Sequence, residues 1–433
     1  MERDLPGVPA HADHAPGTPL DALPVIDKAV LMGAFERYNR AGLDARAALR
    51  VADGSGRAGP WHVGASTGTS GNRGAYVISE AERFRWLGAI LAKALPGFWR
   101  ASHRVAVVLP RTSTLYTAGR SRRLDIRFID IALGPDRWCA SLEAFAPDVV
   151  IAPPKVLRHL AETGFEGTGR IPLLYSAAET LDPVDRAVVE ARTGAPLRQI
   201  YMATEGLIGV SCPHGTLHLA EDRMHVELEP VAGSDRLLSP IVTDFSRAAQ
   251  IMARYRMNDL LVPREAPCPC GSPLRAIETV LGRDDDVFIL EREATTGATP
   301  RGPDRTTTGP MRMMADLVRV TPDLVRDAVV GADRRIDDYR VVQVARDKIV
   351  LRLPPRARGA APAARAALLR LLDRVGARAA IEVEIASLSP DPSRKLRRVE
   401  RAFGADGGGG ADGGEGRAES GDGAAPPHGG GGA

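Results

Sequence analysis

The sequence predicts an α/β fold, with a large N-terminal α/β domain and a small α+β domain at the C-terminal end. Its 433 residues are too many for a single core of ordinary size. Between residues 81 and 200, short apolar runs alternate with helical patterns, which is typical of a mostly parallel sheet covered by helices. After residue 310, the pattern of strands and one helix indicates a second, smaller unit.

The large domain is predicted element by element from its apolar runs. Strands are predicted at residues 105–109, 127–132, 149–153, 172–176 and 199–203. Helices are predicted over residues 81–95, after Pro154 and from Asp182. Because such sheets bind ligands at the carboxyl ends of their strands, polar residues at those ends are the first candidates for a site.

The small domain is predicted to follow a flexible loop. Residues 291–310 consist mainly of Thr, Gly, Pro and charged residues. Beyond them, YRVVQV and KIVLRL predict a hairpin, residues 363–375 a helix, and residues 381–385 a strand.

The two ends of the sequence contain few apolar residues that could be buried in a core. Residues 1–19 lack an apolar core segment, and 14 of the 30 residues from 404 to 433 are Gly, so both segments are predicted to be disordered. Folded sequence is expected from residue 20, and apolar spacing over residues 20–39 predicts a helix.

Composition excludes several classes of protein. With 44% hydrophobic and 26% charged residues, the body of the chain is neither disordered nor fibrous. The net charge of +3 is too small for an obligate nucleic-acid coat protein, so no nucleic-acid partner is expected. The sequence offers no signal peptide and no apolar run of about 20 residues, which predicts a cytoplasmic protein without a membrane partner.

Three segments carry residues suited to nucleotide chemistry. STGTSGNRG (66–74) combines Gly and hydroxyl residues, which suits a phosphate-binding loop, although such loops are more often ordinary turns. Thr204 and Glu205 follow a predicted strand, where they suit either a Mg²⁺ site or the start of a helix. Asp259 in RYRMNDLL suits either ribose hydroxyls or a surface ion pair.

Lysine is rare in this chain, so Lys395 in the segment SRKLRRVER is a candidate functional residue. Only five of the 57 basic residues are Lys, so a position that retains one favours a slim ammonium over a planar guanidinium. The competing interpretation is a solvated basic helix start.

Three of the four cysteines fall in two segments, and the fourth, Cys139, is predicted to be a small buried apolar residue. Cys212 lies in SCPHGTLH, and Cys268 and Cys270 lie in CPCGSP. With His218 they make a Cys₃His set that suits a closed tetrahedral zinc site, and His214 is an alternative nitrogen. Ordinary reduced thiols are the competing interpretation.

Taken in order, these motifs resemble those of the adenylate-forming superfamily, in particular the branch of phenylacetate-CoA ligases and coenzyme F synthetases. STGTSGNRG is similar to the family's phosphate loop, YMATE to Tyr-x-x-Thr-Glu, and YRMND to Tyr-Arg-x-x-Asp. GRDDD is similar to the Gly-Arg-x-Asp hinge, and SRKLRRV to the Gly-Lys-x-x-Arg segment. The resemblance spans about residues 20–403. It implies a large adenylate-forming domain over residues 20–282 and a small mobile domain over residues 283–403, which swings about Asp285.

The resemblance implies how ATP is bound. The β- and γ-phosphates would be wrapped by Ser66, Thr67, Gly68, Thr69, Ser70 and Gly71. Tyr201 would stack on adenine. Asp259 would bind the ribose hydroxyls, with Arg283 nearby. Glu179, in the segment YSAAETL, is a weaker candidate for lining the adenine and acyl pocket.

The resemblance also implies the catalytic residues Lys395, Thr204 and Glu205. Lys395 would reach the α-phosphate and the carboxylate of the substrate, Thr204 would touch the α-phosphate, and Glu205 would hold Mg²⁺. Two departures stand out, since Gly74 and Arg394 occupy positions where many relatives have Lys and Gly. Arg73 is the neighbouring residue that could supply charge to the loop.

In the resembled branch, a Cys and a Leu-His followed later by Cys-x-Cys-Gly often form a metal site. This pattern implies structural Zn²⁺ in the large domain, held by Cys212, His218, Cys268 and Cys270.

The implied function is ATP- and Mg²⁺-dependent activation of an organic, aromatic acid as its acyl-adenylate, followed by formation of a coenzyme A thioester. One alternative is AMP transfer to a hydroxyl of a cofactor-like acceptor, and the other is a catalytically silent, zinc-stabilised nucleotide-binding protein. The expected partners are a small organic acid and a nucleotide. The assembly is left open, with a homodimer as one option.

Overall fold

The computed structural model describes residues 5–15, 17–66, 73–95, 97, 99–109, 122–164, 173–232, 234–293, 317–388 and 395–403. Its helices are α1 (Lys28–Gly33), α2 (Ala45–Asp53), α3 (Glu80–Ala94), α4 (Pro135–Phe145), α5 (Pro154–Glu162), α6 (Pro183–Thr193), α7 (Pro322–Val330) and α8 (Ala361–Val375).

The strands up to the end of the large domain begin with β1 (Arg57–Ala58), β2 (Trp61–Ala65), β3 (Ala75–Ser79), β4 (His103–Leu109), β5 (Leu124–Asp130), β6 (Val149–Ala152), β7 (Leu173–Ala177) and β8 (Leu197–Ala203). They continue with β9 (Gly206–Ser211), β10 (Leu217–Leu219), β11 (Met224–Pro230), β12 (Leu238–Asp244), β13 (Tyr255–Arg256), β14 (Asp259–Pro263) and β15 (Ala276–Arg283). The later strands are β16 (Phe288–Arg292), β17 (Leu317–Val320), β18 (Arg340–Ala345), β19 (Lys348–Leu353), β20 (Ala377–Arg378), β21 (Ala380–Ile385) and β22 (Val399–Arg401).

The large sheet combines a parallel part with a larger antiparallel part. Within the described residues it contains 12 strands, and its main path runs β11-β12-β14-β15-β10-β9-β8-β7-β6-β4-β5. The strands from β5 to β8 pair in parallel, and β8 pairs antiparallel with β9. The predicted α/β fold is confirmed.

Both faces of the parallel strands are covered, as their almost continuous apolar sequence predicts. Val105 and Val107 of β4 pack with Ile90 of α3 on one face. Ala106 and Val108 point to the opposite face, where they join the cluster built on α4 to α6. Alternate residues of a strand thus reach two separate cores, because side chains alternate across a sheet.

The small unit has a core of its own. β18 and β19 form the predicted hairpin, and β21 and β22 add to it in parallel on either side. Leu368 and Leu372 of α8 pack with Leu351 of β19 in this core. The predicted boundary between residues 282 and 283 falls at the end of β15, beyond which β16 joins the smaller sheets.

The helix predicted over residues 20–39 was wrong. The segment contains a 3₁₀ turn at Leu20–Ala22, then α1, then another 3₁₀ turn at Phe35–Arg37. Pro24 lacks an amide hydrogen, and Ile26 pairs instead with Tyr255 in a parallel bridge, so the chain is extended where the helix was expected.

The N-terminal segment also differs from the disorder predicted for residues 1–19. Residues 5–7 and 9–11 form 3₁₀ turns. Leu5 and Val8 are buried against Ile251 and Ala253, which offsets the entropy of ordering this segment. Residues 404–433 lie outside the described residues.

No helix in the described ranges is both long and apolar enough to traverse a lipid bilayer.

Candidate functional site

The predicted catalytic pair Thr204–Glu205 forms the tight turn between β8 and β9. Ala203 pairs with Gly206 across this turn, so a strand follows the pair, and the alternative of a helix start was wrong. Gly206 has φ of +145°, and a Cβ there would lie 3.2 Å from Oδ2 of Asp244. The turn therefore needs glycine at this position.

A buried arginine, Arg247, hydrogen-bonds to the backbone of this turn. Its guanidinium donates to the carbonyl oxygens of Thr204 and Glu205, at 2.9 and 3.3 Å. It also donates to Oε1 of Gln250 at 3.1 Å, and that oxygen accepts the amide of Val77 in β3. Arg247 thus ties the turn to the strand that follows the predicted phosphate loop.

Tyr201 and Asp259 contact each other across the site. The hydroxyl of Tyr201 donates to Oδ2 of Asp259 at 2.7 Å. Burial, together with the charge of Asp259, raises the pKa of Tyr201 well above its usual value, so the phenol stays protonated and donates. Arg283 is paired directly opposite Asp259 in the β14–β15 ladder. Two of the predicted sequence motifs therefore meet here.

Glu205 reaches the segment containing YRMND as well. It hydrogen-bonds to Tyr255, whose pKa is raised, first by burial and then by the charge of Glu205. The charge of Asp259 acts on the same phenol, so the carboxylates of Glu205 and Asp259 both lie near Tyr255.

Lys395 lies half-buried beside these residues. Burial, then the charge of Arg283, lowers the pKa of Lys395 to about 8, while Glu179 and Asp259 act in the opposite direction. The lysine is therefore close to both carboxylates and to Arg283.

Glu179 is held in the site by a second lysine. Its Oε1 lies 3.1 Å from Nζ of Lys155, and the two side chains are only 2% and 4% exposed. Burial raises the pKa of Glu179, and Lys155 opposes that rise. Its other oxygen, Oε2, is buried without a hydrogen-bond partner among the described residues.

The two end residues of the predicted phosphate loop, Ser66 and Gly74, are hydrogen-bonded to each other. The amide of Ser66 donates to the carbonyl of Gly74 at 2.8 Å, and the amide of Gly74 donates to the Ser66 hydroxyl at 2.9 Å. Arg73 forms a bidentate pair with Asp53, at 2.8 and 2.9 Å, so its charge is already matched. The other predicted loop residues, Thr67, Gly68, Thr69, Ser70 and Gly71, lie outside the described residues.

The predicted hinge lies at the edge of this site. Asp285 occupies the 3₁₀ turn Asp284–Asp286, directly after β15, and accepts a hydrogen bond from the side chain of Asn258. Asp286 is buried and pairs with Arg397 at 3.3 Å. The segment carrying Lys395 thus contacts the link between the two units.

The predicted metal ligands also come together. Sγ or imidazole nitrogen atoms of Cys212, His218, Cys268 and Cys270 all lie within 4.8 Å of one another. Cys212 lies in the turn between β9 and β10, His218 lies on β10, and Cys268 and Cys270 lie in the loop between β14 and β15. His214, the alternative nitrogen, is exposed on that turn.

The geometry of the four side chains suits zinc. Sγ atoms of Cys212 and Cys268 are 3.7 Å apart, far from a disulfide, and tetrahedral Zn–S bonds of about 2.3 Å place two sulfurs about 3.8 Å apart. Nε2 of His218 lies 3.3 Å from Sγ of Cys270. Nδ1 lies 2.9 Å from the carbonyl of Leu274, which fixes the ring so that Nε2 faces the sulfurs.

Sequence reasoning missed two residues of this region, Arg247 and Lys28. Lys28 lies beside the site, because Cε of Lys28 is 3.4 Å from where a Cβ on Gly74 would stand. Neither residue belongs to a recognisable motif. The rarity of lysine was the one available signal, and it applied to Lys28 as much as to Lys395.

The fold is that of adenylate-forming ligases. A structure of 2-hydroxyisobutyryl-CoA ligase in the postadenylation state, in complex with 2-HIB-AMP, is similar over 89% of this chain and 80% of that chain, with a TM-score of 0.60 and 18% identity. An open conformation of the same ligase, with 2-HIB-AMP and CoA, has a TM-score of 0.51 and 20% identity over 87% and 80% of the chains. An anthranilate CoA ligase in complex with anthranoyl-AMP has a TM-score of 0.51 and 12% identity over 77% and 65%.

No family model matches the chain, and no curated protein matches it. The branch of phenylacetate-CoA ligases and coenzyme F synthetases therefore stays a prediction from the motifs.

Proposed function

We propose that this protein is an ATP-dependent adenylate-forming ligase, which activates an organic acid as its acyl-adenylate. The observation that carries the proposal is the convergence of distant segments on one cleft. The hydroxyl of Tyr201 contacts Asp259, and the charges of Asp259 and Arg283 both act on Lys395. Proteins of this fold crystallised with acyl-adenylates support the same reaction class.

The chemistry assigned to the cleft is attack of a carboxylate oxygen on the α-phosphorus of ATP. A new oxygen–phosphorus bond forms, and the bond to the pyrophosphate leaving group breaks. Negative charge builds on the phosphoryl oxygens, and the ammonium of Lys395 lowers the barrier by stabilising that charge. Thr204 contacts the α-phosphate, and Asp259 binds the ribose hydroxyls.

Glu205 is the residue proposed to hold Mg²⁺. Carboxylates are preferred ligands of this ion, and bound Mg²⁺ neutralises charge on phosphate oxygens. Arg247, which donates to the backbone of Glu205, keeps the turn in place for this task.

For the second half-reaction, we propose transfer of the acyl group to coenzyme A, with an aromatic acid as substrate. The thiol sulfur attacks the acyl carbonyl, and AMP leaves. Lys395 fills part of the cleft from the small unit, so a swing of that unit about Asp285 gives the thiol access. An anthranilate CoA ligase of the same fold supports an aromatic acid.

We also propose that Cys212, His218, Cys268 and Cys270 hold a structural Zn²⁺. Four protein ligands fill a tetrahedral site and leave no position for water or substrate. The ion would link β10 and the turn that precedes it to the β14–β15 loop.

The test of the proposed function is isotope exchange between pyrophosphate and ATP, measured with a panel of aromatic and aliphatic acids. We expect exchange that requires one of the acids and falls by about 100-fold or more in Lys395→Ala. Lys348→Ala is the matched control, since Lys348 pairs with Glu382 on β21, away from the cleft. Exchange that survives Lys395→Ala removes this residue from the mechanism.

The fate of the adenylate separates the alternatives. Loss of free coenzyme A thiol supports the ligase, whereas a stable adenylylated hydroxyl product indicates AMP transfer. No exchange with any acid favours a catalytically silent nucleotide-binding protein.

A further inference from the structure

Lys28 enters the cleft from the N-terminal part of the chain, and strand pairing fixes its position. The amide of Ile26 donates to the carbonyl of Arg254 at 3.1 Å, and the amide of Arg256 donates to the carbonyl of Ile26 at 2.7 Å. Asp27 then caps α1 by accepting the amide of Val30 at 2.9 Å. Lys28 is therefore anchored two residues from a backbone bridge to β13, the strand that leads to Asp259.

The side chain of Lys28 lies beside Gly74 and near the turn that carries Glu205. A Cβ on Gly74 would stand 3.4 Å from Cε of Lys28 and 3.7 Å from Oγ1 of Thr204. The bare backbone of Gly74 thus leaves room for the aliphatic stem of Lys28. A single methyl group at position 74 would make ordinary contact with Lys28, whereas a larger branched side chain would press on its stem.

Charges around Lys28 mark it as part of the same cluster as the catalytic residues. Burial, then the nearby cations Arg283 and Arg397, lowers the pKa of Lys28, and the carboxylates of Glu205 and Asp285 act in the opposite direction. Three cations, counting Lys28, face two carboxylates here, so the cluster keeps a net positive charge that favours an anionic ligand.

The basic residue of the loop itself is already partnered. Both terminal nitrogens of Arg73 are engaged by the carboxylate of Asp53. The side chain of Lys28 lies beside Gly74 and close enough to Glu205 for the two charges to interact.

We propose that Lys28 binds the β- and γ-phosphates of ATP and the pyrophosphate that leaves. This inference rests on the proposed function and adds a residue to it. An ammonium is suited to the task, since it is compact and its three donors rotate to follow a phosphate as it departs.

The test is calorimetric binding of ATP, inorganic pyrophosphate and AMP to the wild type and to Lys28→Met. Methionine keeps most of the length of the side chain and removes the charge. We expect affinity for ATP and pyrophosphate to fall about 10- to 100-fold while affinity for AMP, which lacks those phosphates, stays unchanged. Lys348→Met is the matched control, and it should bind all three ligands as the wild type does.

A second variant keeps Lys28 and changes its surroundings. Gly74→Val places branched methyl groups against the stem of Lys28 and should also weaken ATP more than AMP. Equal loss of ATP and AMP in both variants overturns the inference, since it indicates a structural role. Unchanged ATP affinity in Lys28→Met overturns it as well. A wild-type protein that binds neither nucleotide contradicts the proposed function itself, which separates the two failures.

Discussion

At the scale of single residues, the environment of Lys395 sets the pH range in which its ammonium is charged. Its pKa is lowered to about 8 by burial and by Arg283, with Glu179 and Asp259 opposing and Arg397 adding to the shift. The charged form is therefore present below about pH 8 and is lost as the pH rises through that value. Adenylation that depends on this charge should follow the same curve.

We predict that the rate of pyrophosphate exchange falls as the pH rises from 7 to 10, with a midpoint near 8 that tracks the pKa of Lys395. In Lys395→Arg, the residual rate should lose this decline, since a guanidinium stays charged throughout the range. A wild-type rate that is flat or increasing over this range contradicts the role of the ammonium.

Arg247 offers a prediction of its own, because it connects the Thr204–Glu205 turn to β3. Arg247→Lys keeps the charge but cannot reach both carbonyl oxygens and Gln250 with one ammonium. We expect the free energy of unfolding to fall by about 1–3 kcal/mol, and the exchange rate to fall with it.

Denaturant unfolding and pyrophosphate exchange measure the two effects of Arg247→Lys. The matched control is Arg236→Lys, because Arg236 is 71% exposed and lies 3.9 Å from Glu278. If Arg247→Lys matches this control in both stability and rate, Arg247 does not position the turn.

The residues that sequence reasoning found are those inside short motifs. Glu205, Asp259 and Lys395 each lie among neighbours whose pattern indicates chemistry. Arg247 acts through backbone oxygens 43 and 42 residues away, and no local pattern records such contacts. Lys28 owes its position to a bridge between Ile26 and Tyr255, which are far more remote from each other in sequence.

At the scale of elements, hydrophobic periodicity predicted strands and helices better than it predicted their ends. The run at residues 149–153 corresponds to β6 and the helix predicted after Pro154 corresponds to α5, and both elements are largely buried. The segment 20–39 has apolar spacing suited to a helix, yet pairing of Ile26 with Tyr255 interrupts it. Tertiary pairing overrode local preference there.

The Cys₃His cluster gives the prediction at this scale. Burial acts to raise the pKa of Cys268, but hydrogen bonds from Thr216 and from the backbone of Cys270 outweigh it and lower the pKa to about 5. Such a thiol is ready to bind a metal. We expect purified protein to contain about one zinc per chain, and Cys268→Ser to lose both zinc and thermal stability.

Elemental analysis and thermal unfolding measure these effects. Cys139→Ser is the control, since Cys139 packs against the core of α4 to α6, apart from the cluster. Wild-type protein with much less than one zinc, or full zinc content in Cys268→Ser, rules out the site.

At the scale of the whole molecule, buried ion pairs hold the small unit against the large one. Oδ1 of Asp185 in α6 accepts from Arg158 of α5 at 3.1 Å and from Arg398 of the small unit at 2.8 Å. Asp185 and Arg398 are 1% and 6% exposed. Arg398 also pairs with Asp338 at 3.0 Å, and it lies three residues from Lys395 in the sequence.

The ion-pair network between the two units is not fully satisfied. Among the described residues, Oδ2 of Asp185 and two guanidinium nitrogens of Arg398 are buried without a hydrogen-bond partner. Unpaired buried groups weaken the interface, so the swing proposed for the second half-reaction does not have to break a fully satisfied network.

We predict that Asp185→Asn loosens the docking of the small unit. The change leaves two guanidinium groups without their shared carboxylate, which typically costs about 3–5 kcal/mol at a buried pair. Amide hydrogen exchange in residues 395–403 should become faster, and adenylation slower. Glu162→Gln, which removes an exposed partner of Arg158, is the control. Exchange in that segment equal to the control contradicts a docking role for Asp185.

The order of the two units along the chain could be predicted from the sequence, whereas the way they pack against each other could not. Alternating apolar runs mark the parallel sheet, and the Gly-Arg-x-Asp motif indicates the link at Asp285. The contact between Asp185 and Arg398 spans 213 residues and depends on how two finished surfaces meet. No periodicity in the chain carries that information.

The proposed function requires that ATP is cleaved at the α-phosphorus in this site. The decisive experiment is a single turnover with labelled ATP, excess protein, an acid that supports exchange and no acceptor. We expect equal amounts of pyrophosphate and a protein-bound adduct of AMP with the acid. Release of ADP and phosphate instead would show cleavage at the γ-phosphorus and refute the proposed function.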